Sequence, residues 1–178
     1  MKKEIRIAGT GGQGIIFAAI VLAEAVGVYE NKYVCQTQSY GPEARGGASK
    51  ADIIISDQPI YFPQTQKLDI LACLSQQALE EYVEKLKENG ILIIDSYYCD
   101  CKNFNKKDIQ IYAFPFSLIA KEKLGRELFA NIILLGSIAR FTKIVKIESL
   151  TKVISQRVSS HFLEINQKAL MLGYEIEV

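Results

Sequence analysis

Two glycine-rich stretches hold the residue types and spacings from which chemistry can be built. The first, Gly9-Thr10-Gly11-Gly12-Gln13-Gly14, fits G-x-G-x-x-G through Gly9, Gly11 and Gly14. It follows a run that reads as a strand (Lys3 to Ala8) and precedes one that reads as a helix (Ile15 to Val26), the context this pattern needs. Glycines let the backbone turn sharply and approach a ligand closely. The helix behind them presents unpaired N–H groups and partial positive charge to an anion. A dinucleotide site also needs a carboxylate at the end of the second strand, to hold the ribose hydroxyls. Here that strand reads Tyr33-Val34-Cys35-Gln36-Thr37-Gln38-Ser39, without one, and Glu30 precedes it at the wrong end. Three readings stay open: a classical NAD site, a site for another phosphate-bearing ligand, and a tight turn that packs a helix against a sheet.

The second stretch runs Gln38-Ser39-Tyr40-Gly41-Pro42-Glu43-Ala44-Arg45-Gly46-Gly47-Ala48-Ser49. Leaving the second strand, it emerges at the same sheet edge as the first loop, where α/β sheets bind their ligands. Arg45 has the forked geometry that grips a phosphate or carboxylate. Glu43 can pair with it, and Gly46-Gly47 permits close backbone approach. The plain alternative is a surface loop with a local Glu43–Arg45 pair.

These loops need a scaffold, and the pattern supplies one. Strands are expected at Lys3–Ala8, Tyr33–Tyr40, Ala51–Ser56, Ile70–Leu74, Ile91–Ile94 and Ile109–Ala113, with a brief extended piece at Ile60–Phe62. Gln76–Glu88 has apolar residues at helical spacing and ends at Asn89-Gly90. Four further helices are expected at Phe116–Lys123, Glu127–Phe141, Ile147–Ser159 and His161–Leu172, the last capped by Gly173. Short apolar strands alternating with helices predict an α/β fold: a doubly wound, mostly parallel, Rossmann-like sheet with flanking helices and a helical C-terminal third. Asn131, among apolar neighbours, must find partners by capping or by bonding to a loop. Asp95, Ser96 and Tyr97 follow a strand at the ligand edge, as crevice lining or as an ordinary turn.

Composition narrows the function classes. The 178 residues fit one domain spanning 1–178, and 49% hydrophobic content is enough for a core. Lys plus Arg (21) against Asp plus Glu (20) excludes a polybasic nucleic-acid arm. The run Ile15 to Val28, as a helix, spans about 21 Å, short of the roughly 30 Å hydrocarbon core. This predicts a cytoplasmic protein without membrane attachment. Cys35, Cys73, Cys99 and Cys101 form no Cys-x-x-Cys pair and read as reduced thiols. Cys99-Asp100-Cys101 is too tight for a usual zinc clamp. His161, the single histidine, reads as structural. No cysteine cluster for an iron–sulfur centre, no G-x-S-x-G elbow and no G-x-x-x-x-G-K-[ST] loop is present.

Taken together, the two loops resemble the gamma subunit of 2-oxoacid:ferredoxin oxidoreductases. The resemblance extends through Ala51-Asp52-Ile53-Ile54-Ile55-Ser56-Asp57-Gln58-Pro59-Ile60 and Asn131-Ile132-Ile133-Leu134-Leu135-Gly136, nearly end to end. The Ser39-to-Gly47 wording is most similar to the 2-oxoglutarate branch, with the pyruvate, 2-oxoisovalerate and indolepyruvate branches close. The resemblance implies an enzyme that decarboxylates a 2-oxoacid on thiamine diphosphate with Mg, passes electrons through iron–sulfur clusters to ferredoxin, and forms an acyl-coenzyme A. It implies alpha, beta and ferredoxin-like delta partner subunits that hold most of those groups. The gamma chain would complete the assembly and border the coenzyme A path, without catalytic residues or metal of its own. It would self-associate at most when isolated.

The resulting expectation is a cofactor- or partner-binding crevice formed by Gly9, Gly11, Gly12, Gln13 and Gly14 with Ser39, Tyr40, Gly41, Glu43, Arg45, Gly46 and Gly47. Its rivals are a stand-alone NAD(P)-dependent oxidoreductase and a scaffold module with no ligand in either loop.

Overall fold

The computed structural model describes residues 1–38, 48–100 and 108–177. At its centre is β1 (Lys2–Gly9), whose side chains alternate between two faces. Ile5 and Ile7 point to one face; Glu4, Arg6 and Ala8 point to the other. β4 (Leu68–Cys73), β5 (Leu86–Asp95) and β6 (Gln110–Phe114) continue the sheet in parallel on one side of β1. On the other side β3 (Ser49–Ser56) pairs antiparallel with β1, and β2 (Tyr33–Gln38) pairs antiparallel with β3. The strand order is β2-β3-β1-β4-β5-β6.

The expected α/β architecture is present, with a mixed sheet. A chain reversed twice runs in its first direction, so β2 points the same way as β1. The stretch after Gln38 therefore leaves the sheet at the edge where β1 ends, as expected, but by a different route. It closes a hairpin into β3 instead of starting a crossover. Ser49 lies opposite Gly9 in the register.

The helices divide unequally between the faces. α1 (Ile15–Glu24) is apolar nearly all round, as a helix between sheet and outer helices must be. It continues as a π-helical turn over Ala25–Tyr29. α3 (Phe116–Leu124), α4 (Ala130–Thr142), α5 (Ile147–Arg157) and α6 (Ser160–Tyr174) share its side. α4 is buried from Ala130 to Ala139. It crosses α6 without intervening side chains: a Cβ on Gly173 would lie 1.8 Å from the Ile133 carbonyl oxygen, and one on Gly136 2.1 Å from that of Leu170. Gly173 was expected as a cap. It is instead an interior residue of α6, kept side-chain-free by this crossing.

The other face carries α2 (Gln76–Tyr82), capped by Ser75, whose hydroxyl accepts the Ala78 N–H at 3.3 Å. α2 is shorter than its apolar periodicity suggests. Val83–Lys85 tighten into a 3₁₀ turn, and Leu86 turns extended to pair with Leu68. Asn89-Gly90 then falls in a bulge of β5, with Asn89 at φ 60°, where a helix end was expected. Segment 57–67 covers the rest of this face without a strand at Ile60–Phe62. The Arg6 guanidinium donates to both Asp52 carboxylate oxygens at 2.6 and 2.7 Å, and the Thr65 hydroxyl donates to Asp52 at 2.7 Å. Arg6 also stacks 4.5 Å over the buried Tyr82 ring.

Candidate functional site

The first glycine loop is held from three sides. Within it, the Gln13 side-chain oxygen accepts the Thr10 N–H at 2.7 Å, and the Gln13 N–H reaches the Thr10 carbonyl at 3.3 Å. From β4, the Leu74 carbonyl accepts the Gln13 side-chain amide at 3.0 Å. From α4, the Asn131 amide donates to the Gly14 carbonyl at 3.1 Å. Gly14 is left-handed at φ 71°, and a Cβ there would lie 2.3 Å from the Asn131 nitrogen. Both the dihedral and the close approach demand glycine. Asn131 thus bonds to a loop, one of the two roles expected for it.

Gln13 is a strut of the loop. The N–H groups left for a ligand are those of Gly11, Gly12 and Gly14, for which no partner exists among the described residues. Space above Gly11 and Gly12 is open. No side chain caps the start of α1. Ser39, Tyr40, Gly41, Glu43, Arg45, Gly46 and Gly47 lie outside the described residues, as does Cys101. Their flanks are placed: Gln38 and Ser49 belong to paired strands, and the Ala48 carbonyl accepts the Tyr82 hydroxyl at 3.3 Å.

The strand beside the loop bears on the NAD reading. β3 separates β2 from β1, so the residue facing Gly9 is Ser49. On the other side β4 ends at Cys73, and Leu74 and Ser75 follow it. Neither neighbour places a carboxylate where a ribose would need it.

Residues that the sequence did not mark line the adjoining hollows. A cavity of about 540 Å³ lies between Thr10, Gln13, Gln76, Tyr98 and Glu127. The Tyr98 hydroxyl donates to Glu127 at 2.7 Å, and this bond, with burial and the Glu127 charge, pushes the phenol up to about 12. A cleft of about 170 Å³ opens between Gly12, Ser117, Glu127 and Leu128. Leu128 also lines a third pocket, of about 380 Å³, with Gly14 and Asn131 in its wall. Tyr98 lies in the turn after β5, and Glu127 and Leu128 in a 3₁₀ turn (Glu127–Phe129) that leads into α4, within the helix expected from Glu127, whose spacing marks fold and not site residues. Asp95, fully buried, accepts the Tyr97 and Ser117 N–H groups at 3.1 and 3.0 Å. It fastens the turn after β5 and the start of α3, and does not face the crevice as a ligand group. Burial holds its carboxyl above the usual range despite those bonds.

A family model for pyruvate ferredoxin/flavodoxin oxidoreductase matches residues 4–176. The chain belongs to the pyruvate ferredoxin/flavodoxin oxidoreductase family. It is 47% identical over 176 residues to the 2-oxoglutarate synthase subunit KorC of Methanocaldococcus jannaschii, covering 99% of this chain and 94% of that one. The gamma subunit of the Geobacter sulfurreducens keto/oxoacid ferredoxin oxidoreductase superposes with TM-score 0.85 at 42% identity, over 97% of this chain and 96% of that one. The 2-oxoglutarate:ferredoxin oxidoreductase of Magnetococcus marinus, solved with 2-oxoglutarate, coenzyme A and succinyl-CoA, shares the fold at TM-score 0.85 and 22% identity. There the match covers 99% of this chain but 32% of the longer one.

Two of these relatives are named as subunits, KorC of a 2-oxoglutarate synthase and the gamma subunit of a keto/oxoacid ferredoxin oxidoreductase. Among the described residues, no group of three His, Cys, Asp or Glu is arranged to hold a metal ion. Cys73 and Cys99 are buried together, while Cys35 stands apart on β2. Burial drives the Cys73 thiol well up, the reverse of what a thiolate ligand needs. These residues fit neither an iron–sulfur cluster nor a metal–diphosphate site. The loop at Gly11, Gly12 and Gly14 does fit an anionic group. No helix among the described residues is long and apolar enough to cross a membrane.

Proposed function

We infer that this chain is the gamma subunit of a 2-oxoglutarate:ferredoxin oxidoreductase. The enzyme couples oxidative decarboxylation of 2-oxoglutarate to reduction of ferredoxin, releasing CO2 and forming succinyl-CoA. One observation carries the reading: 47% identity, over nearly the full length of both chains, to a 2-oxoglutarate synthase subunit. Thiamine diphosphate, Mg and the iron–sulfur clusters then belong to alpha, beta and delta partners in the cytoplasm. This chain, as one domain over residues 1–178, supplies assembly surface and the crevice at the two glycine loops. Gly11, Gly12 and Gly14 offer N–H groups there to an anionic part of coenzyme A or to a partner segment, and Arg45 supplies a cation to the same group.

The test is purification from the native organism through a tag on this chain, followed by 2-oxoacid-dependent viologen reduction. Larger subunits carrying thiamine diphosphate and iron–sulfur clusters should accompany it, with 2-oxoglutarate the preferred acid. A chain that purifies alone and binds NAD or NADP would overturn the reading. Arg45→Ala should lower turnover of the assembled enzyme while leaving the thermal unfolding of the isolated chain in place.

A further inference from the structure

The pocket beside Gly14 has features that neither the crevice nor the core requires. Phe17, Phe129, Ile132 and Val158 wall a space of about 380 Å³. At its mouth stand Leu128 and Phe162, 54% and 45% exposed. Two large apolar side chains converging in water on one apolar hollow match the anatomy of an interface hot spot, where an anchor residue enters a pocket and a rim excludes solvent. The rim is charged on one side. Arg157 is neutralised by Glu24, whereas Arg126 has no ion-pair partner among the described residues. The walls also carry main-chain-reading groups. The Asn131 and Asn166 amides donate to the carbonyls of Gly14 and Phe162, at 3.1 and 2.8 Å. Each side-chain oxygen is left as an acceptor without a described donor.

We propose that this pocket receives an anchor segment of the larger partner subunit: a bulky apolar side chain with a carboxylate beside it. The apolar walls take the side chain and Arg126 meets the carboxylate. The two asparagine oxygens accept N–H groups of the entering backbone. Charge complementarity and the polar acceptors favour a peptide over a purely apolar occupant. The Magnetococcus chain, about three times the length of its match to this one, shows the same fold joined covalently to further protein. The proposal rests on the gamma-subunit reading and deepens it.

The wild-type chain is first mixed with the larger subunits, and complex formation and 2-oxoglutarate-dependent viologen reduction are read. Failure there overturns the parent reading and is recognisable as such. Arg126→Glu and Leu128→Asp are then compared by sedimentation and by the KM for coenzyme A. Each should weaken association at least ten-fold, Arg126→Glu the more at low salt and with the KM for coenzyme A unmoved. Unchanged association with a raised KM would make the pocket a small-molecule site and overturn the proposal; so would no change in either. Should Leu128→Asp fail to fold, Arg126→Glu, at an exposed position, carries the test. As an independent probe, 8-anilinonaphthalene-1-sulfonate should bind the free chain and be displaced by the larger subunits. Dye retained in the complex sinks the idea.

Discussion

The two faces of the sheet close the same structure with different chemistry. Under α1, α4, α5 and α6, closure is apolar and comes down to backbone contact at Gly136 and Gly173. Under α2 and segment 57–67, an apolar cluster around Leu71, Leu79 and Leu92 is joined by a buried Arg6–Asp52 pair, a Thr65 hydroxyl and a cation stacked on Tyr82. Each face secures one glycine loop. The apolar side holds Gly14 through Asn131, and the charged side holds Ala48 through Tyr82. Two loops at one edge therefore depend on separate supports, so damage to one face should reach one loop first.

The harshest way to break that division is Gly173→Leu, which drives a side chain into the Ile133 carbonyl. Its cost should exceed about 4 kcal/mol, a large share of the roughly 5–15 kcal/mol that holds an ordinary domain folded. A melting temperature within a few degrees of the wild type would disprove the backbone contact. Asp52→Ala comes next. It strands the Arg6 guanidinium, one of whose nitrogens already lacks a partner, and should cost about 3–5 kcal/mol. Hydrogen exchange should quicken at Lys50 well before it does at Thr10 and Gln13, the loop amides that carry hydrogen bonds. Equal quickening at both loops would mean the faces are not independent supports. Asn131→Ala reverses the pattern: about 1 kcal/mol of global stability is lost, with faster exchange concentrated at Thr10 and Gln13.

The smallest effects are in acid titration. Burial pushes Asp69 up, but hydrogen bonds from Lys87 and the Glu4 N–H, with the Lys3 charge, leave it below 3.8. Its contribution is present above the unfolded pKa and is lost as pH falls through the folded value. Asp95 runs the other way. Burial raises it above 3.8, so its contribution is complete below the unfolded pKa and fades as pH rises through the folded value. Carboxyl carbon titration by NMR should bracket 3.8 with these two midpoints. Both on the same side would contradict the assigned environments.

Much of this was legible in the residues. Helices at 116–124 and 147–157 follow from apolar spacing, and the first glycine loop from its strand–loop–helix context. The antiparallel course of β3 was not, because a buried strand reads the same in either direction. The strand from Leu86 was hidden because Leu86 also satisfies helical spacing in α2, and only its pairing with Leu68 decides between them. Tyr98, from the turn after β5, meets Glu127, beside Leu128 in the 3₁₀ turn before α4, through tertiary packing, which no local pattern encodes. Gly173 was misplaced for a related reason: a glycine near a helix end looks alike whether it caps that helix or admits a neighbour.

The β2–β3 hairpin has a consequence for how the chain can vary. Residues 39–47 join two strands already paired to each other, so the sheet registers them only as a closure between Gln38 and Ala48. Closure entropy grows with the logarithm of length, about 0.6 kcal/mol per doubling. Lengthening this connection is thus thermodynamically cheap for the fold, whereas Gly14, left-handed and pressed against Asn131, admits no other residue without strain. The fold therefore constrains one side of the crevice by backbone geometry at Gly14 and the length of the other only by the entropy of closing the chain between Gln38 and Ala48.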